Sequence, residues 1–317
     1  MNQVMVYMAL ILAVVVFAYA QADDQMQKAG RPIEPLAVGP NYKNGICLSN
    51  GVIKVGFNDF GAFGVNAGGS PCGFQYPIGA EHLAAFWLGE GYFIAYGATS
   101  FYFYPSDGGP DPLPDTPPML ATASETVEGL TFTTVKSEYV TKDGRLQVSH
   151  VLYLPQGKKW AIIKATLKAL NPVTGLYYKR VVDWDVFSTP PNDYWGRDDF
   201  RGYPELIVAY EGSVYVGVAS YPVFDIYDLD AWDDRYIVGV GGSHVTASLS
   251  SPVQGDFNVG LHFLLGNLNA GDSRSLCFIY VAGGSLSELE RNFNDAETYA
   301  ELICGKKVVG SENKLSK

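Results

Sequence analysis

A chain of 317 residues with a formal charge of −11, 33 acidic against 22 basic side chains, is a poor ligand for nucleic acid or anionic lipid, whose phosphates would repel it. Only 17% of the residues are charged, while 21 Tyr, 17 Phe and 5 Trp accompany 35 Gly and 18 Pro, a supply of core and turn residues that favours β structure. Beyond the first twenty-odd residues no window approaches the length of a membrane span.

The chain opens with Val4 to Ala18, an almost unbroken apolar run followed by Ala18-Tyr-Ala20 and Ala20-Gln-Ala22, either of which suits signal cleavage. Residues 1–22 read as an export signal, with an uncleaved anchor as the second reading, and the protein is expected to be secreted or held at the cell surface. Residues 23–45 are polar and punctuated by Pro32, Pro35 and Pro40, which predicts an extended lead-in long enough to reach a neighbouring subunit and add a strand there. Export makes disulfides the expected state of Cys47, Cys72, Cys277 and Cys304. Of the three possible pairings, Cys47 with Cys72 and Cys277 with Cys304 is favoured because local loops close most easily.

Strand signals then follow one another. Ile53, Val55 and Phe57 alternate with Lys54 and Gly56 before a reversal at Asn58-Asp-Phe-Gly61, and Tyr92 to Tyr96 is a further strand. A Pro-, Gly- and Asp-rich stretch from Pro105 to Pro118 excludes a central strand. Thr131 to Val140, the turn Lys142-Asp-Gly-Arg145, and the alternation of Leu146, Val148, His150, Leu152 and Leu154 predict a hairpin. Trp160 to Leu170 comes next, and Tyr177 to Phe187 reads as one long strand shut off by Pro190-Pro191. Alternation there puts Lys179, Asp183 and Asp185 on one face and Tyr178, Arg180, Val182, Trp184 and Val186 on the other. Leu206 to Tyr210 and Val214 to Ala219 flank a turn at Glu211-Gly212, and Phe257 to Leu265 and Leu276 to Ala282 complete the strands. Ser285-Leu-Ser-Glu288 is a capping box opening a helix whose Leu286, Leu289, Phe293, Ala296, Ala300 and Ile303 recur at helical spacing up to Gly305. Residues 306–317 form a polar tail. The expectation is an all-β protein, a large antiparallel β-sandwich over residues 46–305 closed by one C-terminal α-helix.

Asn50-Gly-Val-Ile-Lys-Val-Gly-Phe-Asn-Asp-Phe-Gly61 followed by Tyr76-Pro-Ile-Gly-Ala-Glu81-His-Leu resembles the opening of the β-supersandwich domain that precedes the catalytic barrel in family 15 glucoamylases and glucodextranases. Tyr178-Lys-Arg180-Val-Val-Asp183-Trp-Asp185 is similar to a phrase of uncharacterised secreted sandwich proteins. The resemblance implies a sandwich fold and a glycan-facing history. Hydrolysis is not implied, because those enzymes carry their two glutamates on a helical barrel that this chain has no long helical section to build.

Asp183 and Asp185, with Cα atoms ~7 Å apart on a regular strand, admit three readings: pairing with Lys179 or a neighbouring Arg, ligation of a hard cation, or an inverting glycosidase pair. Asp193, Asp198 and Asp199, then Asp225, Asp228, Asp230, Asp233 and Asp234, read as two acid-rich loops; solvated turns are the plain reading and a calcium ion held by Asp225, Asp228, Asp230 and Asp233 the functional one. Tyr194, Trp195, Tyr203, Tyr221, Tyr227 and Trp232 in the same stretches would stack on sugar, face a protein partner, or simply pack. The candidate ligand-binding set is Asp183, Asp185, Tyr194, Trp195 and Trp232. His150 and His262 read as core histidines, and no HExxH, GxSxG or phosphate-binding glycine loop occurs. Two functional expectations follow: an extracellular protein of assembly, adhesion or glycan contact, and, as the alternative, a carbohydrate-active enzyme or accessory module with Asp183, Asp185 and Glu205 as the carboxylates to test.

Overall fold

The computed structural model describes residues 45–67, 70–83, 90–97, 99–103, 119–189, 192–198, 206–231 and 245–305. The export signal, residues 23–44, the stretch 105–118, the polar tail, Asp199, Tyr203, Glu205, Trp232, Asp233 and Asp234 lie outside these.

Short strands come first. β1 (Gly45–Ser49), β2 (Lys54–Asn58) and β5 (Phe74–Gln75) form a three-stranded sheet, while β3 (Val65–Ala67) and β4 (Ser70–Cys72) form a ribbon. A disulfide between Cys47 and Cys72 joins β1 to β4. The next elements are β6 (Glu90–Tyr96), β7 (Thr99–Phe103), β8 (Ala121–Val127), β9 (Leu130–Val140), β10 (Leu146–Pro155), β11 (Trp160–Ala169) and β12 (Val173–Val182). They are followed by β13 (Tyr194–Arg197), β14 (Ile207–Glu211), β15 (Val214–Tyr221), β16 (Ile226–Ala231), β17 (Val253–Gln254), β18 (Phe257–Leu268), β19 (Ser273–Gly283) and the helix α1 (Leu286–Cys304). Two large sheets result, ordered β17-β13-β14-β15-β19-β11-β10-β9-β8 and β16-β18-β12-β6-β7, and the pairings within them are antiparallel. The fold is the expected all-β sandwich with one C-terminal helix.

Period-two alternation explains the layers. Along β11, Ala161, Ile163, Ala165 and Leu167 enter the core between the two sheets, where they join Leu152, Tyr178, Val216, Leu261 and Phe278. Trp160 and Ile162 point the other way, into a second cluster with Ile279, Val281 and the helix residues Leu289, Phe293, Ala296 and Ala300. The nine-stranded sheet is therefore covered on both faces along β11 and β19, which is why those strands read as near-continuous apolar runs. The capping box forms: the Glu288 amide donates to Ser285 Oγ (3.3 Å) and the Glu288 carboxylate accepts from the Gly284 amide (2.7 Å). At the other end Lys164 Nζ donates to the Ile303 carbonyl (2.7 Å), and the Cys277–Cys304 disulfide pins the last turn to β19.

Two charged groups of β12 are wholly buried, one on each side of the strand. Facing the core, Arg180 grips Glu90 with both Nε (2.8 Å) and Nη2 (2.6 Å), and its remaining donors reach the hydroxyls of Tyr178 and Tyr280 and the Gly61 carbonyl. Facing outward, Lys179 Nζ lies 2.6 Å from Asp228 Oδ2, which also accepts from His262 Nε2 (2.8 Å), while Tyr177 OH lies 2.7 Å from His262 Nδ1. Lys179 on β12 and Asp228 on β16 are separated by β18 and meet across its Gly260, where a Cβ would fall 2.2 Å from Asp228 Oδ1. Gly260 is thus the residue that lets the pair close.

Four sequence expectations change here. The strand expected from Tyr177 to Phe187 stops at Val182: Trp184 makes only an isolated bridge to Leu83, and Val186–Ser188 is a 3-10 turn with Phe187 and Ser188 at φ 57° and 59°. Lys179 does not pair with Asp183 or Asp185, because Asp228 takes it. The acid-rich stretches are partly strand, β13 and β16, so Asp228 is a buried partner of Lys179 and His262 rather than a calcium ligand. Asp225 accepts the Leu264 amide (2.6 Å) and Asp230 occupies a position of β16, so the described part of the expected calcium set is not assembled as a loop.

Candidate cation and ligand site

Where β12 ends, three carboxylates converge. Asp183 and Asp185 are buried, Asp256 in the turn between β17 and β18 is exposed, and one oxygen from each lies within 4.8 Å of the others. That is tighter than the ~6.5–9.5 Å separation of an inverting glycosidase pair, because the chain leaves strand geometry after Val182. Among the described residues it is the one group of three or more His, Cys, Asp or Glu side chains close enough to share an ion.

Local backbone bonds hold the acids in place. The Asp185 amide donates to the His82 carbonyl (2.9 Å), and the Val186 amide donates to Asp193 Oδ2 (2.9 Å). The Asp193 carbonyl accepts from the Gly255 amide (3.0 Å), so the 183–186, 193 and 255–256 segments are fastened together. Burial, reinforced by the charge of Asp256, pushes the Asp185 carboxyl up to about 7. Burial also raises Asp193 to about 8, against the Val186 hydrogen bond and with repulsion from Asp185, Glu211 and Asp256. Asp256 is raised by burial. Such carboxyls either carry protons near neutral pH or await a positive charge.

The rim of this group is aromatic. Phe187 is 43% exposed and packs edge-on against His82, with ring centroids 5.3 Å apart. Burial lowers the pKa of His82, keeping the ring neutral, so that Nδ1 accepts from the Phe187 amide (3.1 Å) while Nε2 faces the Tyr76 carbonyl. A phenylalanine in left-handed backbone is uncommon, and here the His82 contact and the neighbouring Thr189 to Glu211 hydrogen bond (2.5 Å) over-determine it.

The other expected ligand residues are placed differently. Trp195 is fully buried in the sandwich core with Nε1 donating to the Gly255 carbonyl (3.2 Å), so it supports the acid turn and offers no face to a ligand. Tyr194 is exposed, and one of its faces is occupied by Tyr210 (5.4 Å), which itself stacks on Tyr215 (4.9 Å). Trp232 and Asp233 lie outside the described residues. Asp256, Asp193 and Phe187 were missed as site residues. Asp256 lies seventy-odd residues from the other two acids with no motif around it, whereas the acidic stretch around Asp193 was visible in the sequence.

No protein-family model matches the chain, and no curated protein matches its sequence. Solved structures do share its fold. A bacterial glucoamylase complexed with acarbose is 12% identical with a TM-score of 0.50, the match covering 83% of this chain and 36% of that one. A GH36 α-galactosidase variant from Geobacillus stearothermophilus is 10% identical over 80% of this chain and 42% of its own, with a TM-score of 0.40. A mutant α-N-acetylgalactosaminidase from Bifidobacterium bifidum is 10% identical over 80% and 39%, with a TM-score of 0.39. The chain spans well under half the length of these proteins, and at such identities the likeness concerns the fold alone.

Proposed function

We propose that the protein is exported and acts outside the cell by glycan contact, without catalysis, using Phe187 and the carboxylates of Asp183, Asp185 and Asp256. The observation that carries this reading is the exposure of Phe187, held in left-handed backbone at the lip of the acid group. A flat apolar face beside hydrogen-bond acceptors is the pair of features a sugar ring engages. Two disulfides suit an oxidising, extracellular compartment, and no helix among the described residues is long and apolar enough to cross a membrane. The glucoamylase that shares the fold was solved with acarbose, which supports sugar as the ligand class. In this reading residues 1–22 are the export signal, 23–45 a lead-in and 46–305 the functional domain.

The test is a glycan array with purified protein and its Phe187→Ala variant. Binding to a defined set of glycans, weakened at least about tenfold in the variant, is the expected result. An array on which the wild type binds nothing, or on which both proteins bind alike, removes the proposal.

One observation favours the enzymatic alternative: an Asp185 carboxyl that titrates at about 7 is suited to give and take a proton at neutral pH. Incubation with α- and β-glucans decides between the two readings. Reducing sugar released by the wild type and lost in Asp185→Asn establishes the enzyme; none released leaves the binding role.

A further inference from the structure

We propose that Asp183, Asp185 and Asp256 hold a calcium ion, with Asp193 supplying a fourth carboxylate oxygen. The ligand set is all oxygen, which selects a hard cation. Calcium takes its ligands at ~2.3–2.6 Å, so opposed ligand oxygens stand ~4.6–5.2 Å apart, and the three acids already lie within 4.8 Å of one another. Magnesium, at ~2.0–2.1 Å and near-octahedral, would need a tighter and more regular cage.

Asp193 is the independent observation. It is fully buried, its Oδ2 is held by the Val186 amide, and its Oδ1 has no hydrogen-bond partner among the described residues. A buried carboxylate oxygen left unpaired is costly, and this one is fixed between Val186, next to Asp185, and Gly255, next to Asp256. Repulsion from Asp185 and Asp256 registers on it, which places their charges within its reach. A dication centred on the group satisfies the orphaned oxygen and cancels the repulsion together.

The arrangement also provides access. Asp256 is exposed, so the ion enters from the β17–β18 turn and keeps coordination positions open to water or to a ligand hydroxyl. Bound there, it fastens the end of β12, in the five-stranded sheet, to the segment preceding β13 and to the turn after β17, in the nine-stranded sheet. This inference stands apart from the glycan reading, since it is measured with no sugar present.

The full-length protein, stripped with a chelator, is titrated calorimetrically with CaCl2. One ion per chain is expected, with a Kd of about 10⁻⁴–10⁻³ M or tighter and a rise in Tm on loading. Terbium should replace calcium and luminesce through the buried Trp184 between two of the ligands. Asp256→Asn, a change at an exposed position whose folding is checked by circular dichroism, should weaken binding at least about tenfold; Asp225→Asn, in the turn before β16, should not alter it. Absence of saturable binding up to about 10 mM calcium, wild-type affinity in Asp256→Asn, or tighter binding of MgCl2 than of CaCl2 would each overturn the assignment.

Discussion

Replacing Glu90 by Gln asks whether the ion pair at the centre of the sandwich holds the two sheets together. Glu90 is fully buried and accepts two bonds from Arg180, at 2.8 and 2.6 Å, and one from the Phe63 amide at 2.5 Å. The amide keeps the size and one acceptor but leaves a guanidinium charge uncompensated among Tyr92, Tyr178, Phe278 and Tyr280. Breaking such a pair by neutralising one partner costs about 3–5 kcal/mol, which in a domain of this size lowers Tm by roughly 10 °C or more. Removing both charges, in Glu90→Leu with Arg180→Met, should recover only part of the loss, because the Phe63 amide and the Gly61 carbonyl would lose their partners. Urea unfolding followed by tryptophan fluorescence gives both values in a double-mutant cycle. A loss below about 1 kcal/mol in Glu90→Gln would refute the reasoning and mean that water reaches the guanidinium.

Other consequences can be measured independently. Lys179 and His262 hold the Asp228 carboxyl below its ordinary pKa against the upward push of burial, so its stabilisation is present above the unfolded value of ~3.9 and is lost as pH falls through that value and below. The Tm gap between wild type and Asp228→Asn should therefore be wide at pH 6 and shrink below about pH 4; a gap constant with pH contradicts the pairing. Gly61 sits at φ 85° with His150 carbon 2.3 Å from where a Cβ would be, so Gly61→Ala should cost at least about 2 kcal/mol in the same urea assay, and a neutral effect would exclude the close approach. Replacing Cys277 and Cys304 by Ala reopens a loop spanning 27 residues, worth about 3.5 kcal/mol of chain entropy. Amide exchange should then accelerate first in α1, and uniform acceleration would contradict the role of the disulfide as the helix clamp.

Much of the fold is legible because its strands obey simple periodicities. The alternation of Leu146, Val148, His150 and Leu152, the capping box at Ser285 and Glu288, and the short loops closed by the cysteines each correspond to an element or bond in the structure. The region after Val182 was harder to read. Trp184 and Val186 continue the apolar alternation and do enter the core, but the backbone turns at Asp185 because His82 and Asp193 capture the amides that a strand would have used. Asp228 was misread through composition: grouped with its acidic neighbours it resembles a loop, although Ile226, Asp228 and Asp230 alternate with Tyr227, Leu229 and Ala231 as a strand should. Glu90 as the partner of Arg180, and Asp256 as the third acid, depend on pairings ninety and seventy-odd residues apart that no local pattern encodes.

Hydrogen exchange read by mass spectrometry, with and without a saturating oligosaccharide taken from the array, tests the central claim most directly. Slowed exchange confined to residues 183–189 and 253–257 is the result the account predicts, since the amides of Asp185, Val186, Phe187 and Gly255 order the lip of the site. Protection mapped instead to the Tyr194–Tyr210–Tyr215 stack, or to β8 at the far edge of the nine-stranded sheet, would place the ligand elsewhere and contradict it.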